Sequence, residues 1–414
     1  MSLLSSVLNK ITGNKSGKIS LYKKYDLGAS CLAVPISADI DGDGKNEIIC
    51  ATTKGDIFVM DSELNLKWKF SASSEVGDMD KFFLDSDLLN GIHATPKIFD
   101  INKDGKNELI FGTEQGEVFA INYKGEQIWK FKVQGSIRGG INIFYMSAEK
   151  NIKIIFGSLD GHIYILNESG KLELDIVVGV GIESTPVIFE DFIIVGTTSG
   201  EIRAYNVLGK LAWSYNVGAK ITSDAVVIKC KGMSCFVIGS TNNSLYCFDG
   251  KGKLIWQFVT TGAIYSSAVI KDVNGDGLDE IVFGAADNKI HVLNMDGKEL
   301  WSYEAGFWII GPPVIIDIDS DGVLEVIAGS YDNMVYFLAG DGDFVMDYVP
   351  GISGIVAQNG SYSDIPSNSP GNVFGKKIWG YDASGMVIGC CAHDKMVVVQ
   401  TKEGKVLILR HEGI

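Results

Sequence analysis

The chain has 414 residues, 46% of them apolar, with 49 glycines against 8 prolines and a formal net charge of −15. Such acidity excludes nucleic acid and anionic membrane surfaces as electrostatic partners, and no stretch approaches the ~20 apolar residues of a membrane-spanning helix. The seven cysteines are too few and too irregular for a disulfide framework; most stand in apolar strand contexts as small buried side chains.

Residues 1–16 are read as an N-terminal extension. Leu3, Leu4, Val7, Leu8 and Ile11 fall on one helical face there, which predicts a short amphipathic helix. The first 30 residues lack the continuous apolar core of a signal peptide, so a cytoplasmic protein is expected. Residues 17–410 are expected to form one domain, because one pattern recurs through them: a strand, a tight turn with Gly, then an aromatic-bearing strand. Glu117–Phe131, Glu201–Tyr215, Ser244–Phe258 and Lys289–Tyr303 are close copies. The anchor position of the second strand is held by Trp68, Trp129, Leu174, Trp213, Trp256, Trp301, Met346 and Ile408, at gaps of 61, 45, 39, 43, 45, 45 and 62 residues. A period of about 40–45 residues, built from period-two alternation and turns, is the signature of four-stranded propeller blades.

The prediction is therefore an all-β, eight-bladed β-propeller of four-stranded antiparallel blades. Blade 2 sets the pattern, with strand A near 94–99, B near 108–113, C near 117–122 and D near 126–131. The A strands are the most apolar, as suits the innermost strands around a channel. The anchor tryptophans are expected to pack between blades. Gly17–Leu21 and Gly404–Ile408 both fit the D-strand pattern. The N-terminal strand is thus expected to pair with the last blade, as its strand D or as a fifth strand, hiding an open edge.

Four acidic nonapeptides punctuate the repeat: Asp39–Glu47, Asp100–Glu108, Asp272–Glu280 and Asp317–Glu325. Oxygen side chains recur at positions 1, 3, 5 and 9, with Gly at position 6. Alternate side chains can then converge on a hard cation while Gly permits the sharp turn. At these four positions the loops carry four, three, three and four carboxylates, 14 in all against a net charge of −15. On the repeat they are A–B turns of blades 1, 2, 6 and 7. The loops that enter each A strand should ring the opposite end of the channel. They contribute His93, Arg138, Glu183, Lys220, Tyr265 and Trp308 to its mouth, a mixture able to hold a small ligand or to pair internally.

Two insertions break the period. Ser74 to Gly91 carries Phe82, Phe83, Leu84, Leu88 and Leu89 among acidic residues, and reads as a partner-binding loop or an amphipathic cap. Gln358 to Lys376 is polar and reads as a surface loop between blades 7 and 8.

The Gly-Lys-x-x-Trp strand pairs resemble the repeats of pyrroloquinoline-quinone-dependent dehydrogenases and their cofactor-free relatives, among them an outer-membrane assembly scaffold. The acidic loops resemble the calcium loops of integrin-alpha-type propeller repeats. By that resemblance up to four structural Ca²⁺ ions are expected. The ligands carried over are Asp39, Asp41, Asp43 and Glu47; Asp100, Asn102, Asp104 and Glu108; Asp272, Asn274, Asp276 and Glu280; and Asp317, Asp319, Asp321 and Glu325. Position-7 carbonyls of Lys45, Lys106, Leu278 and Val323 complete the sets.

The quinoprotein resemblance also implies an oxidoreductase, and in some members a vicinal cysteine pair contacts the cofactor. Here Cys390 and Cys391 lie in Met386–His393, read as strand B of the last blade, where neighbours face opposite ways and joint contact with a cofactor is disfavoured. The five histidines (93, 162, 291, 393 and 411) offer no zinc spacing, and no nucleophile–base pair or phosphate loop can be named. A calcium-rich polysaccharide lyase is a further enzymatic option without a nameable constellation. The expectation is a calcium-binding, non-catalytic interaction or scaffold module with an unidentified protein partner. The alternative is a ligand-binding or quinone-dependent enzyme using the channel mouth.

Overall fold

The computed structural model describes residues 18–72, 91–146, 151–230, 232–341 and 377–412. Among the described residues every regular element is a strand, and the strands form eight four-stranded antiparallel sheets. The molecule is an eight-bladed β-propeller. Blade 1 consists of strands A (Ile36–Ala38), B (Glu47–Ala51), C (Asp56–Met60) and D (Leu66–Ser71). Blade 2 follows the expected pattern, with Lys97–Phe99, Glu108–Gly112, Glu117–Ile121 and Gln127–Lys132.

Burial differs between the strands of a blade. Strands B and C of the first two blades are buried almost throughout, the A strands are half-buried, and the D strands alternate exposed with half-buried residues. The A strands of blades 7, 8 and 1 touch one another at the hub. The core lies between blades: Ile49, Val59 and Ile57 of blade 1 pack with Leu109, Phe111 and Phe119 of blade 2.

Two devices lock each blade to the next. The first is the anchor tryptophan. A bulge in the C–D pairing precedes the anchor position in every blade from 1 to 7, a position held by Leu174 in blade 3, and Trp68, Trp129, Trp213, Trp256 and Trp301 each donate their indole N–H to a carbonyl in or beside the next blade's C–D turn, at 2.7–3.2 Å. Gly125 sits under the Trp68 ring with φ +82°; a Cβ there would stand 2.7 Å from the indole, so the turn requires glycine for conformation and for space. The second device is an isoleucine in the loop entering the A strands of blades 2 to 7. Ile92, Ile137, Ile182, Ile221, Ile264 and Ile309 are buried, and their amides donate back to the preceding blade, at Thr52, Thr113, Ser158, Thr197, Ser240 and Ala285.

Blade 8 closes the ring with Val387–His393 (A), Met396–Thr401 (B), Lys405–Glu412 (C) and the N-terminal Lys18–Asp26 (D). The N-terminal strand replaces strand D and adds no fifth. Three expectations are corrected by this. Met386–His393 supplies the innermost strand of blade 8, where strand B was expected, and Ile408 lies on strand C. Strand D of blade 7 is Lys377–Asp382, so Trp379 holds the anchor register opposite Phe337. Met346 lies outside the described residues, as do the helix expected in 1–16 and nearly all of both insertions.

Candidate cation loops and channel mouth

The four acidic loops share one backbone-binding scheme, because closely spaced Asp and Asn side chains accept from amides a few residues on. Both oxygens of position 1 accept: Asp39 from Gly42 and Gly44, Asp100 from Asp104 and Gly105, Asp272 from Gly275 and Gly277, and Asp317 from Asp321 and Gly322. The amides of Lys45, Lys106, Leu278 and Val323 donate to the position-5 carboxylates at 2.7–2.8 Å. The position-9 glutamates Glu47, Glu108, Glu280 and Glu325 are buried, and one oxygen of each accepts the position-2 amide at 2.9–3.0 Å. Burial pushes the carboxyls of Glu108 and Glu280 above their ordinary value.

What fills each loop differs. In blades 1 and 7 three carboxylate groups converge with oxygens within 4.8 Å of one another: Asp39, Asp41 and Asp43, and Asp317, Asp319 and Glu325. In blades 2 and 6 the amides of Asn102 and Asn274 donate to the glutamate at 3.1 Å and to the position-5 aspartate at 3.2 Å. Blade 1 also holds Lys67, whose ammonium lies 2.7 Å from both Asp41 Oδ2 and Glu47 Oε1. Burial opposes the Lys67 charge, but these two partners outweigh it and hold the ammonium above its usual value; Lys67 in turn draws the Asp41 carboxyl down. Behind the blade 6 loop lies a cavity of about 190 Å³ lined by Asn274, Glu280, Leu300, Trp301 and Asp341. Loops 1 and 2 also touch, since Asn107 donates through its amide side chain and its backbone to the carbonyls of Asp39 and Ile40. An all-oxygen donor set suits a hard cation such as Ca²⁺ better than a softer metal.

At the other end of the channel, the expected mouth residues flank the buried isoleucine plugs in the loops that enter the A strands. His93, Arg138, Glu183 and Tyr265 follow a plug by one residue; Lys220 and Trp308 precede one. The structure joins four of the six expected mouth residues through Glu114, from the B–C turn of blade 2. His93 Nε2 lies 3.3 Å from Glu114, Arg138 bonds Glu114 and reaches Glu183 at 3.5 Å, and Lys220 bonds Glu183 at 2.7 Å. Burial alone would raise the Glu114 carboxyl, yet Arg138 and His93 outweigh it and hold the group below its ordinary value. Burial lowers the His93 pKa, against the opposing pull of Glu114 and Glu183. The arc brings together two carboxylates, two fixed cations and the His93 imidazole. Across the mouth stand Tyr265, Phe307 and Trp308, exposed at 39%, 44% and 40%, with the Phe307 and Trp308 rings stacked 5.2 Å apart. The Thr222 hydroxyl, donating to the Tyr265 carbonyl, links Tyr265 to the neighbouring blade's mouth loop.

Cys390 and Cys391 lie on opposite faces of their strand, in different interblade cores. Burial raises both thiols, Cys391 to about 12, so neither is a ready nucleophile.

With this geometry in hand, the chain can be set beside known proteins. A family model described as the lambda-carrageenase beta-propeller domain matches residues 96–178 and 247–350, stretches that contain three of the four acidic loops. No curated protein matches by sequence. Among solved structures, BamB from Moraxella catarrhalis is similar at 16% identity and TM-score 0.62, covering 96% of this chain and 98% of its own. The computationally designed Ika8 protein is similar at 15% identity and TM-score 0.65, covering 95% and 99%. BBS1N, solved in complex with ARL6DN, is similar at 10% identity and TM-score 0.55, covering 96% and 98%. The likeness is one of fold.

Sequence reasoning missed Glu114, Lys67 and Trp379. Glu114 faces Arg138 from the previous blade. Lys67 and Trp379 were visible in principle, as the residue before an anchor and as an anchor displaced by an insertion. Among the described residues no helix is long and apolar enough to cross a membrane.

Proposed function

We propose that the protein is a non-catalytic binding propeller, with Ca²⁺ stapling acidic A–B loops on one face and a protein partner docking on the aromatic half of the channel mouth. The observation that carries this reading is how the mouth spends its ionisable groups. Glu114 and Glu183 are engaged by Arg138, His93 and Lys220, which leaves paired charges where a proton-transfer site needs an available group. Tyr265, Phe307 and Trp308 instead offer exposed aromatic surface of the kind enriched at interface centres. BBS1N, a propeller of similar fold, is seen in complex with a protein.

The docking half is tested with tagged full-length protein and its Phe307→Ser/Trp308→Ser variant, matched for folding by circular dichroism. A stoichiometric partner recovered with the former, identified and rebound in purified form, should be lost from the latter. Equal retention by both proteins overturns the assignment. The calcium half is tested by exhaustive chelation, which should lower the melting temperature by removing a ligand that binds only the folded state. No thermal shift, together with no calcium by elemental analysis, sinks it.

A second reading is favoured by the carrageenase-named family match: a carbohydrate site at the same mouth, with sugar rings packing on Trp308. Calorimetric titration with sulfated and neutral galactan oligosaccharides separates the two, since protein docking predicts no heat of binding.

A further inference from the structure

Blades 1 and 6 carry the same kind of acidic loop yet differ at a residue outside it. The pairing of strands C and D passes from Val59↔Trp68 to Met60↔Leu66, skipping Lys67. In blade 6, where strand D is Glu299–Glu304, it passes from Val292↔Trp301 to Leu293↔Glu299, skipping Leu300. A bulged residue is released from the ladder and its side chain is re-aimed. Blade 3, which has no acidic loop, shows where this position can reach: its bulged residue Glu173 pairs with Lys153 of strand B (Asn151–Gly157). In blade 1 the same position delivers the Lys67 ammonium to loop positions 3 and 9. In blade 6 it holds Leu300, which lines the cavity together with Asn274 and Glu280 of the loop.

We infer that Lys67 is a tethered cation, which fills the blade 1 loop from the neighbouring strand and excludes a divalent ion from it. The inference rests on the calcium reading of the other loops. Its physical basis is the position of the charge. Asp41 and Glu47 are two of the four side chains through which an ion would be held. An ammonium in contact with both already supplies the positive charge that a buried glutamate requires. A second cation would have to displace Lys67 or bear its repulsion. The bulged residue thereby selects what its loop holds. Lysine makes an internal ion pair, whereas an apolar residue cannot, and blade 2 has Ile128 there. The calcium complement is then smaller by one than the number of acidic loops.

The test is ion counting by terbium luminescence and elemental calcium on the full chain, Lys67→Leu and Leu300→Lys, with melting measured in chelator and in calcium. Lys67→Leu should bind one ion more than the parent, melt lower in chelator, and recover when calcium is added. Leu300→Lys should bind one ion fewer. An unchanged count in Lys67→Leu, or a destabilisation that calcium does not reverse, overturns the inference. A parent that binds four ions overturns it while leaving the calcium reading intact. No ion on the parent but one on Lys67→Leu supports the inference and removes the calcium reading from the other loops; no ion on either protein overturns both. Should Lys67→Leu fail to fold, an unchanged count in Leu300→Lys decides against the proposal.

Discussion

The two faces of the propeller both concentrate carboxylates, and they balance them differently. At the mouth, charges of opposite sign come from different blades and meet across loops, so the arc from His93 to Lys220 neutralises itself at partly exposed positions. On the opposite face, like charges are packed into single nonapeptides and are met first by backbone amides. A buried glutamate closes each loop. The mouth's balance is therefore open to salt and pH, whereas the loops depend on hydrogen-bond geometry and, in blade 1, on the Lys67 ammonium placed between two carboxylates. The lesson is that a net charge of −15 says little about surface chemistry until the partners of each carboxylate are known.

The sharpest way to break this comparison is Glu108→Ala, measured by urea denaturation in chelator. Glu108 is fully buried, and its oxygens accept from the Ile101 amide and the Asn102 side chain. Truncation strands a buried N–H, with an expected loss of about 2–3 kcal/mol. Glu108→Gln should cost much less, because burial already disfavours the charged carboxylate and the amide oxygen can still accept. Equal losses for Ala and Gln would show that the charge, not the acceptor, closes the loop.

Arg138→Ala should have the next largest effect, about 1 kcal/mol at low salt and less at high salt, because it removes a cation shared by Glu114 and Glu183 at a partly exposed site. The pH dependence has a definite sign. Arg138 lowers the folded-state pKa of Glu114, so this stabilisation is fully present above the unfolded carboxylate value of about 4.3 and is lost as pH falls through the folded value. The gap between parent and variant should accordingly shrink as the solution is acidified below pH of about 4. A gap that stays constant would mean that Arg138 acts through packing.

The sequence made one face much more legible than the other, for a physical reason. Each acidic loop is contiguous, so positions 1, 3, 5 and 9 could be read off directly, and the A–B placement of all four followed from the period. The mouth depends on contacts between loops far apart in sequence: Arg138 could be placed on the rim, but not opposite Glu114, which arrives from a different turn. The anchor of blade 7 failed for a related reason. Counting a period assumes constant chain length between strands, yet long surface insertions cost little closure entropy, and the stretch between Ala339 and Lys377 moved the anchor from the expected Met346 to Trp379. Lys67 was legible only as a strand residue, because the bulge that turns it toward the loop is a property of the pairing.

Lys220→Ala is the smallest and most discriminating change. Lys220 and Lys67 make lysine–carboxylate contacts of the same length, 2.7 Å, on opposite faces. Among the described residues Lys220 pairs with Glu183 and is itself 41% exposed; Lys67 pairs with two carboxylates, one of them 2% exposed. Solvent screening and side-chain entropy should leave the Lys220–Glu183 coupling at no more than about 0.5 kcal/mol in a double-mutant cycle. Added salt should erase it, since the pair is open to water. A coupling above about 1.5 kcal/mol that survives salt would mark the mouth arc as a tightly held network of the kind seen in buried sites. The contrast between the two faces would then rest on blade position rather than on how each face treats charge.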